Sequence, residues 1–162
     1  SVNGYVVPVN YNSAAQTVIA GEPEAVEAAM AKFTELGAKV IKLNVAAAFH
    51  SKLMQPAADE FEAALKAMDI TFNKPQVQFF SNLYGVEMPD FDNMPEKLAK
   101  HIVSPVKFTS ELALMSEQGF ESFVELGPNK VLTGLVKKTL KGVNAMNVEN
   151  AKTLEKALEA LK

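Results

Sequence analysis

Two histidines carry most of the acid–base chemistry open to this chain near neutral pH, because imidazole is the side chain that titrates there. His50 stands in Phe49-His50-Ser51, followed by Leu53, Met54 and a long amphipathic stretch. A ring placed between a strand and a helix can act as a base. His101 lies at the end of a later helical pattern. The 162 residues include no cysteine, no arginine and no G-x-S-x-G serine elbow. Thiolate catalysis and cysteine-ligated zinc are thereby excluded, and any nucleophile that His50 serves lies elsewhere. Two histidines so far apart are poor metal ligands, and no metal site is expected. Position alone favours reading His50 as a structural histidine with its hydrogen bonds satisfied.

The elements that must position these rings follow from periodicity. Tyr5 to Val9 and Gln16 to Ala20 are β-branched runs that read as paired strands, with Asn10-Tyr11-Asn12-Ser13 as the turn between them. Pro23 opens a helix whose apolar positions are Val26, Ala29, Met30, Phe33 and Leu36, and Gly37 stops it. Lys39 to Leu43 reads as a strand. Ser51 can cap the next helix, with Met54, Ala57, Ala58, Phe61, Leu65 and Met68 on one face, ending near Asp69. Val77 to Ser81 reads as a strand with which Tyr84 to Met88 can pair, limited by Pro89. Helical patterns over Pro95 to Ile102 and Phe108 to Gln118 flank the break at Ser104-Pro105. Strand Ser122 to Leu126, the turn at Gly127-Pro128 and a helix bearing Leu132, Leu135 and Val136 form an α/β signature. Val143 to Val148 is a last strand, and Asn150 caps a helix bearing Leu154, Leu158 and Leu161.

Composition bounds the function further. At 48% hydrophobic and 22% charged residues the chain has material for one folded core. A net charge of −3 with scattered lysines gives no basic stripe for nucleic acid. No apolar run is long enough to span a bilayer, and the start SVNGYVVPV lacks the features of a signal peptide, so a cytoplasmic location without membrane contact is expected. The first residue is not methionine, and the opening order strand, strand, helix, strand looks like an α+β unit lacking its first elements; both suggest a fragment.

Four segments, in order, resemble the malonyl-CoA:acyl carrier protein transacylases and the related acyltransferase domains of fatty acid and polyketide synthases. Asn10-Tyr11-Asn12-Ser13 with Gln16-Thr17-Val18-Ile19-Ala20-Gly21 is similar to the loop and strand of that family's ferredoxin-like small subdomain. Phe49-His50-Ser51 with Leu53-Met54 resembles the segment bearing its catalytic histidine. Ile102-Val103-Ser104-Pro105-Val106 resembles the stretch after the residue whose backbone carbonyl orients that histidine. Glu125-Leu126-Gly127-Pro128 with Val131-Leu132 resembles its late strand-turn-helix.

The resemblance implies an α/β fold with an α+β part: an incomplete ferredoxin-like small subdomain over residues 1–45, and the C-terminal part of an α/β-hydrolase-like large acyltransferase subdomain over 46–162. It implies ping-pong transfer of malonyl from malonyl-CoA through a serine ester to acyl carrier protein, with no tightly bound cofactor. His50 takes the role of base and acid, the His101 carbonyl orients it, and Asn10, Asn12 and Phe49 line the substrate cleft. Phenylalanine before the histidine accompanies a preference for malonyl over methylmalonyl. The family often has glutamine at position 101, Pro-Gly at Ala14-Ala15, proline at Lys52 and serine at Ala46. Its nucleophile, oxyanion-hole glutamine and carboxylate-gripping arginine belong to an N-terminal half that this chain lacks, so the chain alone is expected to be inactive and its N-terminal half to be a possible partner chain. Lys137, Lys138 and Lys141 can meet an acidic carrier protein, or simply form a solvated helix end. Met30, Met54 and Met68 read as packing residues. The rival readings are a noncatalytic ferredoxin-like module binding a ligand or protein, and a complete serine hydrolase, which the missing elbow opposes.

Overall fold

The computed structural model describes residues 2–162. Strands β1 (Val6–Ser13) and β2 (Gln16–Gly21) form an antiparallel hairpin covered by helix α1 (Pro23–Glu35). Asn10 to Ser13 are therefore strand residues, and the turn is Ala14-Ala15, where the Ala15 N–H bonds the Ser13 hydroxyl at 3.3 Å. Asparagine chemistry suggested a turn there, but register shifts at Pro8/Asn10 and Tyr11/Ser13 let the strand run on. α1 starts on Pro23 as expected, yet it buries Ala25 and Ala29 and leaves Phe33 and Leu36 exposed. Small residues allow the helix to lie close on the hairpin.

Lys39 to Leu43 forms no strand. Its alternating apolar residues, with Ile41 66% exposed, match a strand pattern. A ladder needs a second chain for its N–H and C=O groups, and none of the described residues supplies one. The segment leading to His50 is thus a loop, and His50 opens a helical unit without following a strand.

Ser51 caps a 3₁₀ turn, Lys52–Met54, by accepting from the Leu53 N–H at 3.3 Å, and helix α2 (Gln55–Ala67) continues from it. α2 packs on helix α3 (Met94–Ile102) through Ala58 and Ala99, both buried. Between them lies a minimal antiparallel pair, β3 (Phe80–Ser81) and β4 (Val86–Glu87), shorter than the sequence pattern suggested. Gly85, at φ +75°, closes its turn against helix α4 (Phe108–Glu117), where a Cβ would come within 2.9 Å of the Lys107 Cβ.

The C-terminal part is a βαβ unit. β5 (Ser122–Leu126) and β6 (Asn144–Val148) run parallel in register, joined by α5 (Val131–Thr139) and followed by α6 (Ala151–Ala160). The expected cap of α6 is reciprocal: the Thr153 N–H bonds Asn150 Oδ1 at 3.1 Å, and the Asn150 N–H bonds the Thr153 hydroxyl at 3.0 Å. The core joins Leu112 of α4, Val136 of α5 and Ala145 of β6, with Phe108, Phe123, Leu140 and Val143 against them. β1 ties the hairpin to this unit by packing on α4 and α5.

Two carboxylates sit on this core with opposite consequences. Glu111, next to Leu112, is buried, and its Oε1 has no hydrogen-bond partner among the described residues. Burial pushes the group up to about 7. The folded chain therefore holds a proton that the unfolded chain releases near 4.5, and stability declines as pH rises from about 4.5 to about 7. Glu111→Gln should raise stability above pH 7 by on the order of 2 kcal/mol and flatten that slope. Equal urea midpoints for both proteins at pH 8 would refute the assignment. Glu125 of β5 accepts from the Leu132 N–H (3.0 Å), the Thr133 N–H (2.7 Å) and the Thr133 hydroxyl (2.7 Å) at the start of α5. Desolvation opposes its ionisation, but these bonds outweigh it and its acidity is increased. Stability from Glu125 is present above the ordinary carboxylate range and lost as pH falls through its lowered value. Glu125→Gln should narrow the gap between melting temperatures at pH 7 and pH 3, measured by circular dichroism.

Candidate active site

His50 is held in the left-handed region, φ 63°, which costs a non-glycine residue on the order of 1 kcal/mol. Two hydrogen bonds to successive carbonyls hold it there. The His50 N–H donates to the Ile102 carbonyl at 3.0 Å, and Nδ1 lies 3.0 Å from the His101 carbonyl oxygen. These carbonyls belong to the last turn of α3, where the helix leaves its final C=O groups without intrahelical donors. A helix end with spare acceptors and a turn with two spare donors satisfy each other.

The contact also fixes the tautomer. A carbonyl only accepts, so Nδ1 carries the proton and, in the neutral ring, Nε2 is left with its lone pair. Nε2 is the atom available to take a proton from a hydroxyl or thiol. The neighbouring Ser51 is not a partner for it. Ser51 is 1% exposed, its hydroxyl donates to the Ala48 carbonyl at 2.7 Å, and it accepts from the Leu53 N–H.

Of the other candidates, Asn10 is tied to the segment after α3. β1 meets it in a parallel bridge between Asn10 and Val106, with the Tyr11 N–H bonding the Val106 carbonyl (2.9 Å) and the Val106 N–H bonding the Val9 carbonyl (2.8 Å). Asn10 is thereby brought within one short loop of the carbonyls that hold His50, and Asn12 lies two residues further along β1. Both are half-buried, while Phe49 is 52% exposed beside His50.

Three contributors escaped the sequence reading. The Ile102 carbonyl is a second acceptor for His50. Tyr5 takes the Lys52 N–H on its hydroxyl at 3.3 Å, and the Lys52 ammonium sits 4.2 Å from its ring centroid. Asn82 accepts from the Lys107 N–H on its backbone carbonyl at 3.0 Å. These links join residues between 25 and 52 positions apart without a shared motif, so spacing gave no signal for them. The aromatic Tyr5 at the strand start was the one visible hint.

The His101 side chain is half-buried behind His50, with ring centroids 5.3 Å apart and planes tilted by 41°. Burial and then the charge of His50 push its pKa down, so the neutral ring is favoured.

The comparisons with known proteins now bear on this geometry. The family model described as "Acyl transferase domain" matches residues 2–158. The malonyl CoA-acyl carrier protein transacylase of Bacillus subtilis (strain 168) is 38% identical over 154 residues, covering 94% of this chain and 48% of its own length. The crystal structure of the malonyl CoA-acyl carrier protein transacylase from Clostridium perfringens is 42% identical, with a TM-score of 0.91 over 98% of this chain and 49% of that one. A malonyl-transacylase solved in complex with a type II PKS acyl-carrier protein is 36% identical with a TM-score of 0.88, over 97% of this chain and 50% of that one. The chain spans about half the length of these relatives. With the family model covering nearly the whole sequence, and with its α/β elements matching transacylase structures, this chain belongs to the acyl transferase domain family.

Proposed function

We propose that this chain is the histidine-bearing half of a malonyl-CoA:acyl carrier protein transacylase, and that the nucleophilic serine lies outside these 162 residues. The observation that carries this reading is the pair of bonds from His50 to the α3 carbonyls, which leaves Nε2 as a proton acceptor on a fixed ring. In the first half-reaction a serine Oγ attacks the thioester carbonyl of malonyl-CoA while His50 Nε2 takes the hydroxyl proton. The C–S bond breaks, the proton passes to the coenzyme A thiolate, and a malonyl-serine ester remains. In the second, the phosphopantetheine thiol of acyl carrier protein gives its proton to Nε2 and attacks the ester. The C–O bond breaks, and the serine oxygen recovers the proton. No cofactor takes part in either step.

Asn10 and Asn12 line the acyl cleft in this reading, and Phe49 closes the space beside the acyl α-carbon. The substructure proposed is a partial ferredoxin-like small subdomain over 1–45 and the closing part of an α/β-hydrolase-like subdomain over 46–162. Among the described residues no helix is long and apolar enough to cross a membrane, and a cytoplasmic fatty-acid-synthesis role fits the bacterial relatives. The similarity to transacylases over 94–98% of the chain favours this reading over a ligand- or protein-binding module.

Intact-mass analysis after incubation with malonyl-CoA tests the division of labour. The chain alone should stay unmodified, and a malonyl adduct should appear on a serine of a complementing polypeptide once that is added. Malonylation of this chain itself would overturn the proposal. In the assembled enzyme His50→Ala should lower the transfer rate by roughly 10²–10⁴-fold. Phe49→Ala should raise the methylmalonyl to malonyl rate ratio, and comparable rates for the two substrates before substitution would remove the role given to Phe49.

A further inference from the structure

Behind His101, on the side away from His50, lies a cavity of about 130 Å³ lined by Phe80, Asn82, Leu83, Met94 and Leu98 together with the His101 ring. Two buried polar atoms of its wall have no partner among the described residues, His101 Nε2 and Asn82 Oδ1. They are chemically complementary. An amide oxygen only accepts, and a neutral imidazole protonated at Nε2 donates. The space is several times what one water needs, so a water between them can join the two atoms. Asn82 is itself tied to the segment after α3 by the bond from the Lys107 N–H to its carbonyl.

We propose that the His101 side chain is a positioning residue, a brace between Asn82 and His50 that holds the His101 carbonyl of α3 on His50 Nδ1. This inference rests on His50 being the base and goes beyond the orienting role of the backbone carbonyl. The brace is an imidazole, so it can take up a proton. The charged or titratable groups around it are His50, at 5.3 Å between centroids, and Lys97, which lines the same cavity and is paired with Asp90. None of these is a carboxylate facing the ring, and the rest of the wall is mostly apolar. A proton on His101 therefore meets a low-dielectric wall on one side and the charge of a protonated His50 on the other. The protonated ring leaves the cavity and carries the α3 carbonyl away from His50. Acid inactivation then includes the proton taken up by His101.

The test pairs nuclear magnetic resonance of ¹⁵N-histidine in the full chain with acyl transfer in the assembled enzyme. The chain should show the Nδ1–H of His50 as a slowly exchanging, downfield proton that is lost as His101 titrates. His101→Ala and Asn82→Ala should each lose that resonance at neutral pH and lower kcat roughly tenfold to hundredfold, with KM little changed. His101→Gln keeps an N–H donor and should recover most of the loss, with a shallower acid limb because the proton of the brace is gone. A resonance and a kcat unaffected by His101→Ala would overturn the brace. A resonance that follows these expectations beside an activity indifferent to His50→Ala would keep the brace and remove the catalytic reading.

Discussion

Everything about this candidate site depends on the unsatisfied carbonyl end of α3. A helix terminus needs donors, and here His50 supplies two of them, through its backbone and its ring, beside the N–H groups of Val103 and Ser104. That one contact selects a tautomer, stabilises a left-handed backbone and sets the angle at which α2 leaves the loop. α2 also packs on α3, and the two helices bury Ala58 and Ala99.

The segment 102–107 works as a hub. Its first carbonyl holds His50, Val106 pairs with β1, and Lys107 bonds to Asn82. Ser104-Pro105 breaks the helix between these contacts, so the backbone is free to bond outward over the stretch where three parts of the chain converge. Position 105 has no N–H to give, and the adjacent residues carry the bonding. β1 thereby belongs to both parts of the molecule: it makes the hairpin with β2 and also touches α4 and α5.

Much of this was legible in the residues. Asn150 and Pro23 announced helix starts, Gly127-Pro128 marked the turn after β5, and the β5, α5, β6 order followed from periodicity. The likeness of four ordered segments to acyltransferases indicated the family before any coordinates. The failures share a cause. Lys39 to Leu43 has strand composition without a partner to pair with, and Asn10 to Ser13 has turn composition inside a strand held from both sides. Pairing is a property of two segments, and local composition describes one. The bonds of Ile102, Tyr5 and Asn82 were hidden for the same reason.

The distribution of these contacts has a consequence for how such a domain tolerates being divided. The ring that would accept the proton, the carbonyls that aim it, the strand that steadies the hub and the cavity behind it all lie within Tyr5 to Lys107 of one polypeptide. A break in the backbone upstream of Tyr5 severs none of them. The ring, the carbonyls that aim it and their supports form one unit with its own internal alignment.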